Sequence, residues 1–452
     1  MRELKTFRKS AMWIPKRPQT LEEAKLDSYF VQDNILKILY TRGVTRGLVF
    51  AEILSLPYAL IDGELRQMRQ NDLLAPVGGA GIGGYEGMDF ALTKQGRDLA
   101  AGVNERSAYV GPAPVVIEDY LESVRVQRFQ SRWVKRAHLE AAFADIVIPP
   151  EYLGQLGPAI NSGGPVFLYG KPGNGKTTIS ERLARIFRQG IFVPHAIQVD
   201  GQIIQLFDEK VHRRIPADQL PADHAVRTDP RSIDGRWVFV YRPFIIVGGE
   251  LTLEMLDLTY REGQRCYEAP FQLKANCGVL LVDDFGRQIV KPKDFLNRWI
   301  FPLEKNLDFL TLVNGRKVEV PFEQILIFST NLNPQDLADE AFWRRIRYKL
   351  EVPCPTEKDY RRIFGAVCTA FKLAFDEECY RYLLEKYYRR ANRELRAVHP
   401  RDIIGHVIDH IHYNGLESKL TRELIDLACP SYFGNVDMPH AKAWSNAPSP
   451  EK

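Results

Sequence analysis

Residues 170–177 read GKPGNGKT and fit the phosphate-loop pattern G-x-x-x-x-G-K-[ST]. The apolar run Val166, Phe167, Leu168 and Tyr169 before them predicts a buried strand, and a helical pattern from Thr177 to Phe187 follows. Strand, glycine-rich loop and helix in that order are the context the motif requires. Glycines let backbone N–H groups converge on phosphate oxygens, and a helix N-terminus adds partial positive charge. Gly170, Pro172, Gly173, Asn174, Gly175, Lys176, Thr177 and Thr178 are therefore the nucleotide-binding candidates. Lys176 is expected to reach the β- and γ-phosphates, and the Thr177 hydroxyl to serve Mg2+. A glycine-rich turn with a chance lysine is the competing reading, and the flanking strand and helix weigh against it.

A second run, residues 279–284, reads VLLVDD. Four apolar residues suit a parallel strand buried on both faces, whose C-terminal end opens on the nucleotide crevice. Asp283 is expected to hold Mg2+ through water, and Asp284 to orient or deprotonate an attacking water. A third strand, 325–328, ends in Ser329, Thr330 and Asn331. An amide at that strand end can hold the water or sense the γ-phosphate, against the plainer reading of a turn residue. Between these strands, 309–313 and 317–320 flank the turn Asn314-Gly315 and predict a hairpin.

The 452 residues allow about three domains, and 45% hydrophobic with 26% charged residues is an ordinary globular composition. A formal charge of +4 makes no case by itself for nucleic acid. Six cysteines without a C-x-x-C pair argue against a zinc ribbon or disulfide framework, suit a cytoplasmic setting and read as small buried hydrophobes. No apolar run approaches the ~18–20 residues of a membrane span, so no membrane insertion is expected.

Upstream, residues 1–24 are basic and irregular, and residues 25–103 show three helical patterns, two short strands around a glycine-rich tip at 78–84, and a closing helix. That order looks like a winged-helix domain. Its third helix carries Asp62 and Glu64 beside Arg66 and Arg69, which favours protein docking over DNA reading. Residues 104–116 read as a Pro/Gly-punctuated linker and 117–353 as the α/β core. The apolar segment 142–148 is a candidate cover for an adenine ring, with plain packing equally open. Residues 196–199 are expected as the next core strand, 201–278 as a long functional insertion with a helix at 251–258. Residues 354–430 predict an all-helical lid in which His399 lies at the surface, and 431–452 a loose tail.

Taken together, the phosphate loop, VLLVDD, the hairpin, FSTN at 328–331 and the pair Arg344 and Arg345 before a final strand resemble AAA+ ATPases. The hairpin and the wording VPFEQILIFSTNLNP look like the MoxR-like branch. The resemblance spans about 117–430 and implies a P-loop doubly wound parallel sheet of order 5-1-4-3-2 with a helical lid. It also implies ATP and Mg2+ as cofactors and self-association into a ring, usually a hexamer. Arg344 or Arg345 would act on a neighbouring subunit's γ-phosphate, and Arg401 would be the lid arginine that reaches the γ-phosphate. A helix-start ion pair with Asp402 is the plainer reading of Arg401. The family has Asp-Glu where this chain has Asp283-Asp284, which raises the question of slow turnover. The implied function is ATP-driven remodelling or assembly of a protein partner. The alternatives are a DNA-directed ATPase or regulator using residues 25–103, and an ATP-dependent scaffold with weak hydrolysis.

Overall fold

The structure is a computed structural model that describes residues 12–78, 84–129, 134–187, 189–216, 232–337 and 343–434. The glycine-rich tip, apart from Gly78 and Gly84, and almost all of the tail lie outside them.

At its centre is a five-stranded sheet in which every neighbouring pair is parallel. Phe244–Val247, Val279–Val282, Ile325–Thr330, Val166–Tyr169 and Tyr348–Glu351 lie side by side in that order. Counted along the chain within this sheet, the order is 5-1-4-3-2 from the opposite edge. The central strands are apolar because both faces are covered. Alternate residues serve the two faces. Val166, Leu168, Val279, Leu281, Ile325 and Ile327 pack on one side, with residues of Pro150–Asn161 and Lys176–Ala184. Phe167, Leu280, Val282, Leu326 and Phe328 pack on the other, against Phe295 and Trp299 of the helix Pro292–Lys305. This second face is an aromatic layer: Phe328 lies 5.1 Å from Phe285, and Phe167 meets Trp343 edge-on at 4.8 Å.

Ala196–Val199 is a strand, but not of this sheet. Phe244–Val247 takes the place next to the acidic strand, pairing with Val279–Val282. Sequence pattern could not separate the two, since both are short apolar runs. Ala196–Val199 belongs to a second sheet of order Thr259–Arg261, Cys266–Glu268, Gln202–Gln205, Ala196–Val199, Val115–Val116. Gly190–Pro194 and Trp237–Tyr241 add an antiparallel pair. The expected helix at 251–258 is only a single turn, Glu254–Leu256. The hairpin Leu307–Thr311 and Lys317–Pro321 leans on this second layer, burying Leu310, Leu312, Val318 and Val320 in its core.

The N-terminal region has helices Ser28–Arg42, Gly47–Leu54, Tyr58–Gln70 and Lys94–Arg106 around an antiparallel sheet of order Thr45–Arg46, Asp89–Leu92, Leu74–Gly78. Residues 104–116, expected as a linker, are packed instead. Tyr109, Ala113 and Val115 are buried, and the Ala113 N–H donates to the Leu54 carbonyl at 2.8 Å. Tyr109 and Val115 pack on the second sheet and Ala113 in the core of the N-terminal region, and no local pattern marks them because the contacts are long-range. Arg236 and Asp234, both buried, close the same junction. Arg236 Nη2 lies 2.7 Å from Asp234, and its Nη1 donates to the carbonyls of Ala24 at 2.9 Å and Pro114 at 3.3 Å.

The C-terminal unit is helical: Glu357–Ala370, Glu377–Leu383 running into a π-helical stretch Leu384–Arg389, then His399–Asn414 and Arg422–Phe433. Thr356, Asp376 and Thr421 cap three of these helices by accepting backbone N–H bonds. His399 is buried, not at the surface: its Nδ1 lies 3.0 Å from the Tyr388 hydroxyl. Among the described residues, no helix is long and apolar enough to cross a membrane.

Candidate nucleotide site

The registers Val282↔Phe328 and Thr330↔Tyr169 align three strand ends. Their continuations, the phosphate loop, Asp283-Asp284 and Asn331, therefore meet at one edge of the sheet. This is the crevice beyond the carboxyl ends of parallel strands where ligands bind.

The loop's backbone demands glycine. Gly170 has φ +142°, and a Cβ there would stand 2.5 Å from the Val352 carbonyl oxygen. Gly173 has φ +82°, and a Cβ would stand 2.6 Å from Val398 Cγ1. The helix Lys176–Ala184 then starts with no side-chain cap. Its first N–H groups stay open to an anion.

Lys176 is folded into the loop. Its Nζ donates to the carbonyls of Gly170 at 2.9 Å and Lys171 at 3.1 Å, and to Asn331 Oδ1 at 2.5 Å. Burial pulls its pKa below the usual lysine range, opposed by the charges of Asp283 and Asp284. The other end of the Asn331 amide donates to Asp284 Oδ1 at 2.8 Å. Thr177 Oγ1 donates to Asp283 Oδ2 at 2.7 Å. Asp284 sits at φ +48°, in the left-handed region that Asp and Asn tolerate best among non-glycine residues. Its N–H bonds the Asp283 carboxylate at 3.0 Å. The turn thus gives a physical reason for the shorter carboxylate here, where the side chain already reaches Asn331.

These residues fit a magnesium nucleotide. Thr177 and Asp283 offer hard oxygen ligands, suited to an ion that keeps waters and shares the substrate's phosphates. Among the described residues no group of three or more His, Cys, Asp or Glu side chains could hold a metal without such help. Asn174 is buried with its Oδ1 unpartnered, while its Nδ2 donates to Cys354 Sγ at 3.4 Å. Cys354 is half-buried beside the loop, unlike the other five cysteines, which are buried as expected.

The arginines divide. Arg345 is held by Glu304, with Nη2 2.6 Å from the carboxylate, whereas Arg344 is exposed. Trp343, wedged against Phe167, fixes the start of their segment. Arg401 is exposed and its Nε lies 3.1 Å from Asp402. Residues 142–148 pack towards the helix after the loop, where Arg182 and Arg185 both bind Asp145 at 3.0 and 2.7 Å. Sequence reading missed Glu394, Arg396 and Val398. They lie in an irregular stretch with no motif, yet they touch the phosphate loop.

In comparisons with known proteins, a domain of unknown function (DUF8689) matches residues 356–431, the helical unit. No curated protein matches the chain significantly. Among solved structures, two single-substitution variants of Thermotoga maritima RuvB resemble it. One is 12% identical with a TM-score of 0.34, covering 66% of this chain and 71% of its own. The other is 11% identical with a TM-score of 0.35, covering 69% and 74%. Superpositions this loose decide nothing about function, which rests on the geometry above.

Proposed function

We propose that the protein is a Mg2+-dependent ATPase of the AAA+ type. The Asn331 amide carries this reading: it spans Lys176 and Asp284 at the C-terminal edge of a parallel sheet, while Thr177 meets Asp283 beside it. When phosphates enter, Lys176 leaves the loop carbonyls for them, and the loop N–H groups and the uncapped helix take the remaining charge. Bound Mg2+ would neutralise charge on the β- and γ-phosphate oxygens, with Thr177 and Asp283 holding it. Asp284 accepts the proton of the attacking water, and Asn331 orients that water. Arg344 serves the neighbouring subunit's γ-phosphate in a ring, taken as a hexamer, and Arg401 serves from the lid once released from Asp402.

In this reading, residues 25–103 form a winged-helix domain, 117–353 the MoxR-like core, 354–430 the lid, and the protein remodels or assembles a protein partner in the cytoplasm. Its third helix supports protein over DNA. Arg66 is paired with Asp62 at 2.8 Å and lies over Tyr85, and Arg69 donates to the Tyr85 hydroxyl at 2.6 Å. Both are engaged within the domain. Glu64 is buried, accepting from Ser28 at 2.6 Å and Gln32 at 2.7 Å. DNA-directed action predicts salt-dependent duplex binding by the full chain, and protein remodelling predicts none.

The deciding experiment is phosphate release and ATP binding by the full chain with Mg2+. Lys176→Ala should lose both, and Asp284→Asn should bind ATP without turnover. Wild-type binding and turnover in Lys176→Ala would overturn the site. A chain that binds ATP with no turnover at all would favour the scaffold.

A further inference from the structure

The phosphate loop is gripped from the lid. Residues 394, 396 and 398, every second position of one irregular segment, meet the successive loop residues 171, 172 and 173. Glu394 pairs with Lys171 Nζ. Arg396 Nη1 stands 3.5 Å from the Pro172 carbonyl oxygen. The Val398 N–H donates to the Gly173 carbonyl at 2.9 Å, and the Val398 side chain lies where a Gly173 Cβ would be. The segment is itself anchored behind. It follows the π-helical stretch Leu384–Arg389, a feature frequent at functional positions. It ends at buried His399, which joins Tyr388 and, through a 2.6 Å hydroxyl contact, Tyr360 in the core of the helical unit. The chain between the strand Tyr348–Glu351 and the helix Glu357–Ala370 is thus not the only connection between lid and core.

The geometry points to residues 394–398 as a latch that positions the phosphate loop, with Glu394 and Arg396 as positioning residues for nucleotide phosphates. This rests on the ATP-site reading and deepens it. The loop carbonyls that Lys176 now occupies belong to Gly170 and Lys171, the latter also held by the latch through its side chain. When Lys176 turns to phosphate, those carbonyls are released while residues 171–173 stay tied to the lid. The phosphates are thus received by a loop whose position residues 394–398 set from behind. A ligand without phosphates leaves Lys176 in place and makes no demand on that positioning.

The test measures binding of ATP, ADP and adenosine to the full-length wild type, Glu394→Gln, Arg396→Ala, Arg396→Lys and the charge swap Lys171→Glu/Glu394→Lys, with thermal unfolding of each unliganded chain. An exposed ion pair is worth at most ~1 kcal/mol, about fivefold in affinity. Glu394→Gln should weaken ATP and ADP by about three- to fivefold, and the swap should recover most of that. Arg396→Ala should weaken both by about two- to threefold, with partial rescue by Arg396→Lys. Adenosine binding should stay within error, and unliganded melting should fall by a few degrees at most, the loss of one exposed ion pair. Equal losses for all three ligands, or a lowered melting temperature with unchanged nucleotide affinity, would overturn the latch. So would no change in any variant. Lys176→Ala is the control: a wild type whose ATP binding ignores that change fails the ATP-site reading itself, whereas latch variants inert beside a sensitive Lys176 fail only the latch.

Discussion

The Asn331 side-chain amide donates to Asp284 Oδ1 at 2.8 Å across two neighbouring strand ends. Two side chains that interact this way should act as a unit in turnover. Asp284→Asn is expected to lower phosphate release by about 10²–10⁴-fold with ATP affinity kept, the range for a positioned acid–base group. Asn331→Ala should fall by a similar factor, and the double variant by little more than the worse single one. Steady-state rates of the three variants and wild type check this. Multiplying losses would separate the two roles.

Thr177 and Asp283 are expected to set the magnesium requirement. If the hydroxyl serves the ion, as proposed, Thr177→Ala should weaken ATP binding in Mg2+ about tenfold or more and barely change binding in EDTA, since its bond in the structure is to Asp283 and not to the loop. Equal losses with and without Mg2+ would move Thr177 into the phosphate cradle alone.

The two arginines should differ. Arg345 is committed to Glu304 within its own chain, and Arg344 is exposed. Arg344→Ala should slow turnover by about 10³-fold, as for an arginine supplied to a neighbour's phosphate, and Arg345→Ala should act mainly on stability. Mixing Arg344→Ala with Asp284→Asn subunits should restore part of the activity. No recovery on mixing would remove the role in trans.

Arg236→Ala should loosen the N-terminal region from the rest of the protein. It leaves Asp234 buried without its cation, at a cost of about 3–5 kcal/mol. Calorimetry should show the lost stability, and limited proteolysis should newly cut within 104–116. Wild-type resistance at that segment would mean that apolar packing alone holds the junction.

Acid should weaken the helical unit. Burial, helped by the nearby charges of Arg396 and Arg393, lowers the pKa of His399 from 6.5 to about 4. The unfolded chain therefore binds the proton more readily than the folded one. The contribution is complete above about pH 6.5 and is lost as the pH falls towards 4, up to about 3 kcal/mol in all. Chemical denaturation from pH 7 to 4 should show this slope, and His399→Gln should flatten it in part. His195 and His212, which burial also lowers to about 4, lie outside the helical unit and add a slope of their own to the unfolding of the full chain.

The sequence by itself determined the pieces whose chemistry is local. A phosphate loop needs its glycines, lysine and threonine adjacent in the chain, so 170–177 was readable directly. The acidic strand end at 283–284 was readable because a doubly buried strand must be apolar and then stop. The helical unit followed from periodicity and capping residues. Tertiary structure decided what depends on distant partners. Which apolar run stands beside the acidic strand was settled by pairing, and Phe244–Val247 took a place that Ala196–Val199 fitted equally well by pattern. Whether 104–116 swings or packs was settled by long-range contacts, such as that of Pro114 with buried Arg236 more than a hundred residues away. The grip of 394–398 on the phosphate loop left no trace in composition or spacing. A backbone N–H or a carbonyl is the same at every residue, so only the folded chain shows which one meets which.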